Sequence, residues 1–366
     1  MKQPALTEIQ LAEWRAGETR RNQYWDRRIA AYVSDAGKIL SPAQIKEYTD
    51  YWAQWNEPVN PAWAAWYYRA NGIFKPQYIP SNIYYGRITR ALNRRDYLPR
   101  PLLQDKNYLD VIFPDILRPE VIVRNIYGQY LDSKYQIISQ EEAIDLCMAE
   151  EEVILKPTIE TMGARNIEIL NIEREGRLGL RRTLDEMGMD FIVQKLLCQH
   201  SSLAALNPDS VNTLRVLSLL WNDEVIIVGA LVRIGSRGVR VDNLVRSNGI
   251  SCALDQRGRF VRQGYDKSGK PYLHAPNGIK LEGYQIPGYK AAVRMVKEHH
   301  PKLAHFKLIG WDITITEEEN PVLIETNLDQ PDLYFHQFPM GPLFGDGSLL
   351  EEILRFTYEQ YPMYWT

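Results

Sequence analysis

Residues 310–327 read GWDITITEEENPVLIETN, two β-branched runs on either side of the acidic loop Glu317-Glu318-Glu319-Asn320. The alternation predicts an antiparallel hairpin with strands over 308–316 and 321–328. A four-residue loop pairs Thr316 with Pro321 and sets Asp312 directly opposite Glu325 on one face, with Asn327 two residues further along it. Like charges placed opposite one another destabilise a sheet unless something offsets them. A hard divalent cation does so naturally. Two carboxylates and an amide oxygen suit Mg2+, which keeps its other positions for water and phosphate. The alternative is a solvated hairpin with coincidental acids, against which Ile309, Trp311, Leu323 and Ile324 mark the strands as partly buried.

Upstream, VNTLRVLSLL (211–220), a WNDE turn and VIIVGALVRIG (225–235) predict an antiparallel ribbon. It carries Arg215, Arg233, Arg237, Arg240 and Arg246, with Asn212, Asn243 and Asn248 interleaved. Arginine forks match phosphate and carboxylate geometry. A two-residue loop at Asn222-Asp223 puts Arg215 and Arg233 on opposite faces, and a three-residue loop puts them together. The sequence leaves both open, and a solvated basic edge is the alternative.

Earlier still, the strand VILK (153–156) ends on Lys156, and a turn containing Gly163 leads into a second strand, NIEIL (166–170). Backbone N–H groups of such a turn can cradle phosphates. The Walker spacing is absent, so a phosphate loop here would be a hairpin flap. The alternative is an exposed lysine at a strand edge. Ser139 to Glu142 form a capping box opening EEAIDLCMAEE, Gly188 closes RRTLDEM, and FIVQKLL (191–197) reads as a buried strand. PGYKAAVRMVKEHH is helical, with His299-His300 as partners of its C-terminal dipole, and SLLEEILRFTYEQ is an amphipathic helix.

The front of the chain differs in composition. Six of the nine tryptophans (Trp14, Trp25, Trp52, Trp55, Trp63, Trp66) fall in the first 66 residues, with helical spacing in AQIKEYTDYWAQW. They predict the core of a mostly helical region, the alternative being a stacking surface for a sugar or base. The 366 residues, 24% charged and 45% hydrophobic with net charge −3, exclude general disorder and argue against a dedicated nucleic-acid binder. That length suits about two domains. Cys147, Cys198 and Cys252 are too few for a disulfide framework or zinc site. With no apolar run of ~18 residues and no secretory pattern, the expectation is a cytoplasmic enzyme without a membrane span.

VILKP…MGARNIEIL, NPDSVNTLRVLSLL, VRIGSRGVRVDNLVRSNGIS and GWDITI…PVLIETN together resemble the sugar-transfer-associated ATP-grasp family, over roughly residues 100–345. The spaced Asp with Glu-x-Asn is the most specific part of the likeness. The resemblance implies an α+β, ATP-grasp fold, two α+β subdomains clamping a nucleotide behind the helical front region. The boundaries are 1–100, 101–205, 206–345 and a C-terminal helix, 346–366. It implies ATP and Mg2+ as cofactors, with Asp312, Glu325 and Asn327 as metal ligands. Lys106 and Lys156 match the two lysines on the nucleotide phosphates. Gln194 and the backbone of Lys195 and Leu197 match the adenine hinge, and Gly163 and Asn243 join the nucleotide contacts. Arg233 matches the arginine that holds transferring phosphate, and Arg215 is a further catalytic candidate. Where the family shows a double glycine after Asp242-Asn243, this chain has Ser247-Asn248-Gly249.

The implied activity is ADP-forming carboxylate–amine ligation through an acyl phosphate. The substrates would be a small-molecule acid and amine, a sugar acid or amino acid of cell-surface polysaccharide metabolism. No side-chain nucleophile is needed, which fits the lack of a Ser-His-Asp or Cys-His signature. The rivals are a phosphotransferase on the same fold and a non-catalytic glycan- or partner-binding protein. Oligomeric state stays open.

Overall fold

The computed structural model describes residues 8–93, 99–159, 166–240 and 248–360. Two antiparallel sheets organise them. The first has the order β2-β1-β5-β3-β4, from β1 (Val121–Ile126), β2 (Gln129–Asp132), β3 (Glu152–Pro157), β4 (Glu168–Asn171) and β5 (Phe191–Lys195). Val153, Leu155, Phe191 and Val193 face the Gln140–Met148 and Ile172–Met187 helices and form a small core with them. Both predicted helix signals act as expected: Ser139 and Glu142 make a reciprocal capping box, and Gly188 ends its helix at φ 73°.

The second sheet has seven strands in the order β10-β9-β8-β7-β6-β11-β12. They are β6 (Thr213–Trp221), β7 (Glu224–Ile234), β8 (Ile250–Ala253), β9 (Gly264–Tyr265), β10 (Pro271–Tyr272), β11 (Leu308–Ile315) and β12 (Pro321–Asn327). One face packs Leu214, Val216, Val232, Trp311 and Ile313 against the Tyr289–His299 helix. The other face carries Leu217, Leu219 and Leu231 beneath the front of the chain.

That front region is helical, with α1 (Glu8–Tyr32), α2 (Pro42–Ala53) and α3 (Ala62–Asn71). Trp52, Trp63 and Trp66 are buried, and with Trp25, Tyr48, Tyr67 and Tyr78 they form one core that includes the Ser348–Gln360 helix and that sheet face. Trp66 stacks on Tyr32 at 4.8 Å and meets the edge of Phe338 at 4.8 Å. Of the predicted tryptophans, Trp25, Trp52, Trp63 and Trp66 are therefore core and Trp55 packs half-buried against it, while the Trp14 side chain lies outside the described residues. The reading of His299-His300 as partners of the helix's C-terminal dipole holds for His299, whose Nδ1–H donates to the Met295 carbonyl of the last turn, and is corrected for His300. Burial pushes His300 down to about 4, so it is neutral at pH 7. Its Nε2–H donates to the Phe306 carbonyl, and its Nδ1 accepts from Ser218, whose Oγ accepts the Trp311 indole N–H.

Candidate active site

Two bulges align the charged residues. In the β11–β12 hairpin the loop has five residues rather than four, because Ile315 rather than Thr316 pairs with Pro321. That slip alone would turn Glu325 away from Asp312. An extra residue at Ile324 reverses it, and Asp312 again stands opposite Glu325. The β6–β7 hairpin repeats the device. Its loop is the two-residue Asn222-Asp223 turn, both residues at positive φ (47° and 66°), as the primed hairpin turns require. By itself it would separate Arg215 from Arg233. An extra residue at Val228 shifts the pairing to Thr213 with Arg233 and Arg215 with Leu231, so both arginines share a face.

Arg215 of β6 pairs across with Asp312 of β11, which pairs across with Glu325 of β12. The side chains follow this row. Arg215 grips Asp312 through Nε and Nη2, and Arg233 Nη2 donates to Asp312 Oδ2 at 2.9 Å. Arg215 Nη1 reaches Asp332 Oδ2 at 2.9 Å. Lys106 Nζ pairs with Glu325 Oε2 at 3.2 Å. The Asn327 amide lies 3.5 Å from Asp312 Oδ2.

Asp312 is 1% exposed. Burial alone would push its carboxyl up, but the Arg215 and Arg233 guanidiniums hold it well below the usual carboxylate range. Glu325, with its side chain 30% exposed, is the open end of the row. Asp312, Glu325 and Asn327 present hard oxygen donors on one face, which suits Mg2+. Among the described residues no three His, Cys, Asp or Glu side chains gather as a metal cluster. A cation here would therefore rest on two carboxylates, one amide and non-protein oxygens.

The other predicted residues lie on the five-stranded sheet. Lys156 and Gln194 occupy the face turned away from its helices, Lys156 half-buried and Gln194 buried. The Lys195 ammonium pairs with Glu120 and Glu150, and the Lys195 backbone N–H donates to the Glu120 carbonyl. β5 stops at Lys195, so Leu197 sits in the half-exposed segment beyond it. Gly163 and Asn243 lie outside the described residues.

The structure adds Asn107, Thr158 and Asp332, which the sequence did not single out. Lys106 opens a 3-10 turn instead of sitting in a helix. The Asn107 carboxamide, fully buried, donates to the Asn125 carbonyl and to Thr158 Oγ1, and the Lys106 N–H donates to the Thr158 carbonyl. The loop bearing one predicted lysine is thus tied just beyond the strand bearing the other. Asp332, in NLDQPDL just past β12, is the second carboxylate on Arg215. A nearby acid was the only signal for it, and its partner lies 117 residues away.

No helix among the described residues is long and apolar enough to cross a membrane. No curated protein matches the chain. Three solved structures illustrate its likenesses. D-alanyl-alanine synthetase A from Vibrio cholerae is 11% identical with a TM-score of 0.42, over 70% of this chain and 64% of that one. The D-Ala:D-Ser ligase of Enterococcus faecalis is 14% identical with a TM-score of 0.42, over 71% and 62%. The L-amino acid ligase of Bacillus licheniformis is 11% identical with a TM-score of 0.35, over 62% and 41%. The chain thus spans less than two thirds of each of those proteins. The sequence itself is decisive: residues 86–345, which hold both sheets and every charged member of the row, match the family described as sugar-transfer associated ATP-grasp. By that match the chain belongs to the sugar-transfer associated ATP-grasp family.

Proposed function

We propose that the chain is an ADP-forming carboxylate–amine ligase that activates a small acid with ATP. The observation that carries this reading is the row Arg215–Asp312–Glu325 with Arg233 on the same sheet face and Lys106 reaching Glu325 from the turn beside it: three cations and two carboxylates together, one carboxylate partly open to solvent. Such a row suits a triphosphate and its metal. Asp312, Glu325 and Asn327 would hold Mg2+, which would neutralise charge developing between the β- and γ-phosphates. Lys106 and Lys156 would position the phosphates, Gly163 would lie in the covering flap, and Gln194, Lys195, Leu197 and Asn243 would contact the nucleotide.

In the first step a carboxylate oxygen of the acid attacks the γ-phosphorus. The bond to the β–γ bridging oxygen breaks and ADP leaves with its electron pair. In the second, an amine nitrogen attacks the acyl carbon, phosphate departs and the nitrogen loses a proton. Arg233, with Arg215 supporting it, would hold the transferring phosphate. The protein supplies orientation and charge in place of a nucleophile. The substrates would be a sugar acid or amino acid of cell-surface polysaccharide metabolism, joined in the cytoplasm. The buried tryptophans weigh against a glycan-stacking surface in the front region.

The test incubates the protein with ATP, Mg2+ and panels of uronic and amino acids, with hydroxylamine as trap. Acid-dependent ADP release with hydroxamate formation is expected. A stable phosphorylated product instead would mark a phosphotransferase, and no ADP release with any acid would overturn both.

A further inference from the structure

We propose that Asp332 is a positioning residue of the charged row: by taking one arm of Arg215 it leaves Asp312 charge to spare for a divalent cation, and the aromatic front region holds it there. The proposal rests on the ligase site above and extends it to a residue outside the strands.

A guanidinium carries one positive charge and five N–H donors in a rigid fork. Arg215 directs Nε and Nη2 to the two oxygens of Asp312 and Nη1 to Asp332. One charge therefore serves two carboxylates. With Asp332 uncharged, one negative charge that offsets Arg215 is gone, and the row attracts a second cation less strongly. Around the row stand three carboxylates (Asp312, Glu325, Asp332) and three cations (Arg215, Arg233, Lys106), so removing one acid tips the balance to positive.

Asp332 sits in the segment that follows β12, and residues from the first 100 bind that segment along its length. The Asn93 carboxamide donates to the carbonyls of Leu308 at 2.6 Å and Leu328 at 2.7 Å, and accepts the Leu308 N–H at 2.9 Å. Arg100 pairs with Asp329 at 2.8 Å. The Tyr84 hydroxyl donates to the carbonyl of Asp332 itself at 3.4 Å. Arg28 donates to the Tyr334 hydroxyl at 3.0 Å, and the Gln337 carboxamide exchanges two bonds with the backbone of Ile79. Tyr84 opens a π-helical segment, Tyr84–Ile88, a geometry that concentrates at functional sites. The front region thus reaches the charged row through Asp332.

The experiment measures ADP binding by the full chain against Mg2+ concentration, by calorimetry, in the wild type, Asp332→Asn and Asp332→Glu, with unfolding midpoints recorded alongside. Asp332→Asn should raise the Mg2+ concentration for half-maximal ADP binding by about fivefold or more, the change that ~1 kcal/mol of lost attraction produces. ADP affinity at saturating Mg2+ should stay as in the wild type, and Asp332→Glu should keep the wild-type Mg2+ dependence. Asp332→Ser serves if Asp332→Asn does not fold. A neutral variant with the wild-type Mg2+ dependence, whatever its unfolding midpoint, overturns the proposal and leaves the ligase site standing. A wild type without Mg2+-dependent ADP binding overturns both.

Discussion

One face of the seven-stranded sheet carries two chemistries side by side. Towards Trp221 it is apolar, with Leu217, Leu219 and Leu308 under the tryptophans and tyrosines of the front region. Two residues along β6 it becomes the charged row, Arg215 beside Asp312 beside Glu325. The apolar end draws its stability from buried area, which depends little on orientation. The charged end is nearly as buried, yet depends on every partner being in place, because an unpaired buried charge costs far more than a lost apolar contact. The aromatic cover borders the row at Tyr84, whose hydroxyl donates to the Asp332 carbonyl.

Asp312→Asn breaks the contrast most severely. It should lower ADP release by roughly 10³-fold or more. It should also cost about 3–5 kcal/mol in urea unfolding, since Arg215 and Arg233 lose their shared carboxylate. Surviving turnover would mean that the charged end is not the site. Trp66→Ala probes the apolar end. It removes the stack on Tyr32 and the indole bond to the Ser268 carbonyl, and should cost about 3–5 kcal/mol. Turnover of the folded fraction at saturating Mg2+ should not change, and a selective loss of activity there would show that the two ends are not separable.

Acid should act on both faces alike. Burial holds His300 and His336 down at about 4, against an ordinary 6.5. Between those values the unfolded chain binds more protons than the folded one, so stability falls as pH drops from 6.5 towards 4, by of order 3 kcal/mol per histidine. Urea midpoints at pH 7, 6 and 5 should show that slope, and His336→Asn should flatten it. The smallest effect belongs to charges in water. Glu141, which pairs with Arg177 and Arg181 on the surface, should tolerate Glu141→Gln with no change in thermal midpoint. A large drop there would remove the distinction between buried and exposed pairs.

Much of this was legible in the sequence. Asp312 opposite Glu325 followed from alternation, although the loop length behind that inference was one residue short and the Ile324 bulge made up the difference. The shared face of Arg215 and Arg233 was undecidable, because loop length alone does not reveal a bulge at Val228. The tryptophans read as core, but not what they cover, since the strands beneath them come more than 100 residues later. Asp332 on Arg215, Asn93 across two strands and Lys106 on Glu325 were illegible for the same reason: each joins residues far apart in the chain, where local pattern carries no signal.

The paired bulges set how this site can change over evolutionary time. Substitutions in β6, β7, β11 and β12 alter one contact each, but losing a single residue at Val228 or Ile324 would rotate an entire strand end by one pleat. Arg233 or Glu325 would then point into the helix-covered core. The strands that build the row are free to drift in composition and are constrained in length.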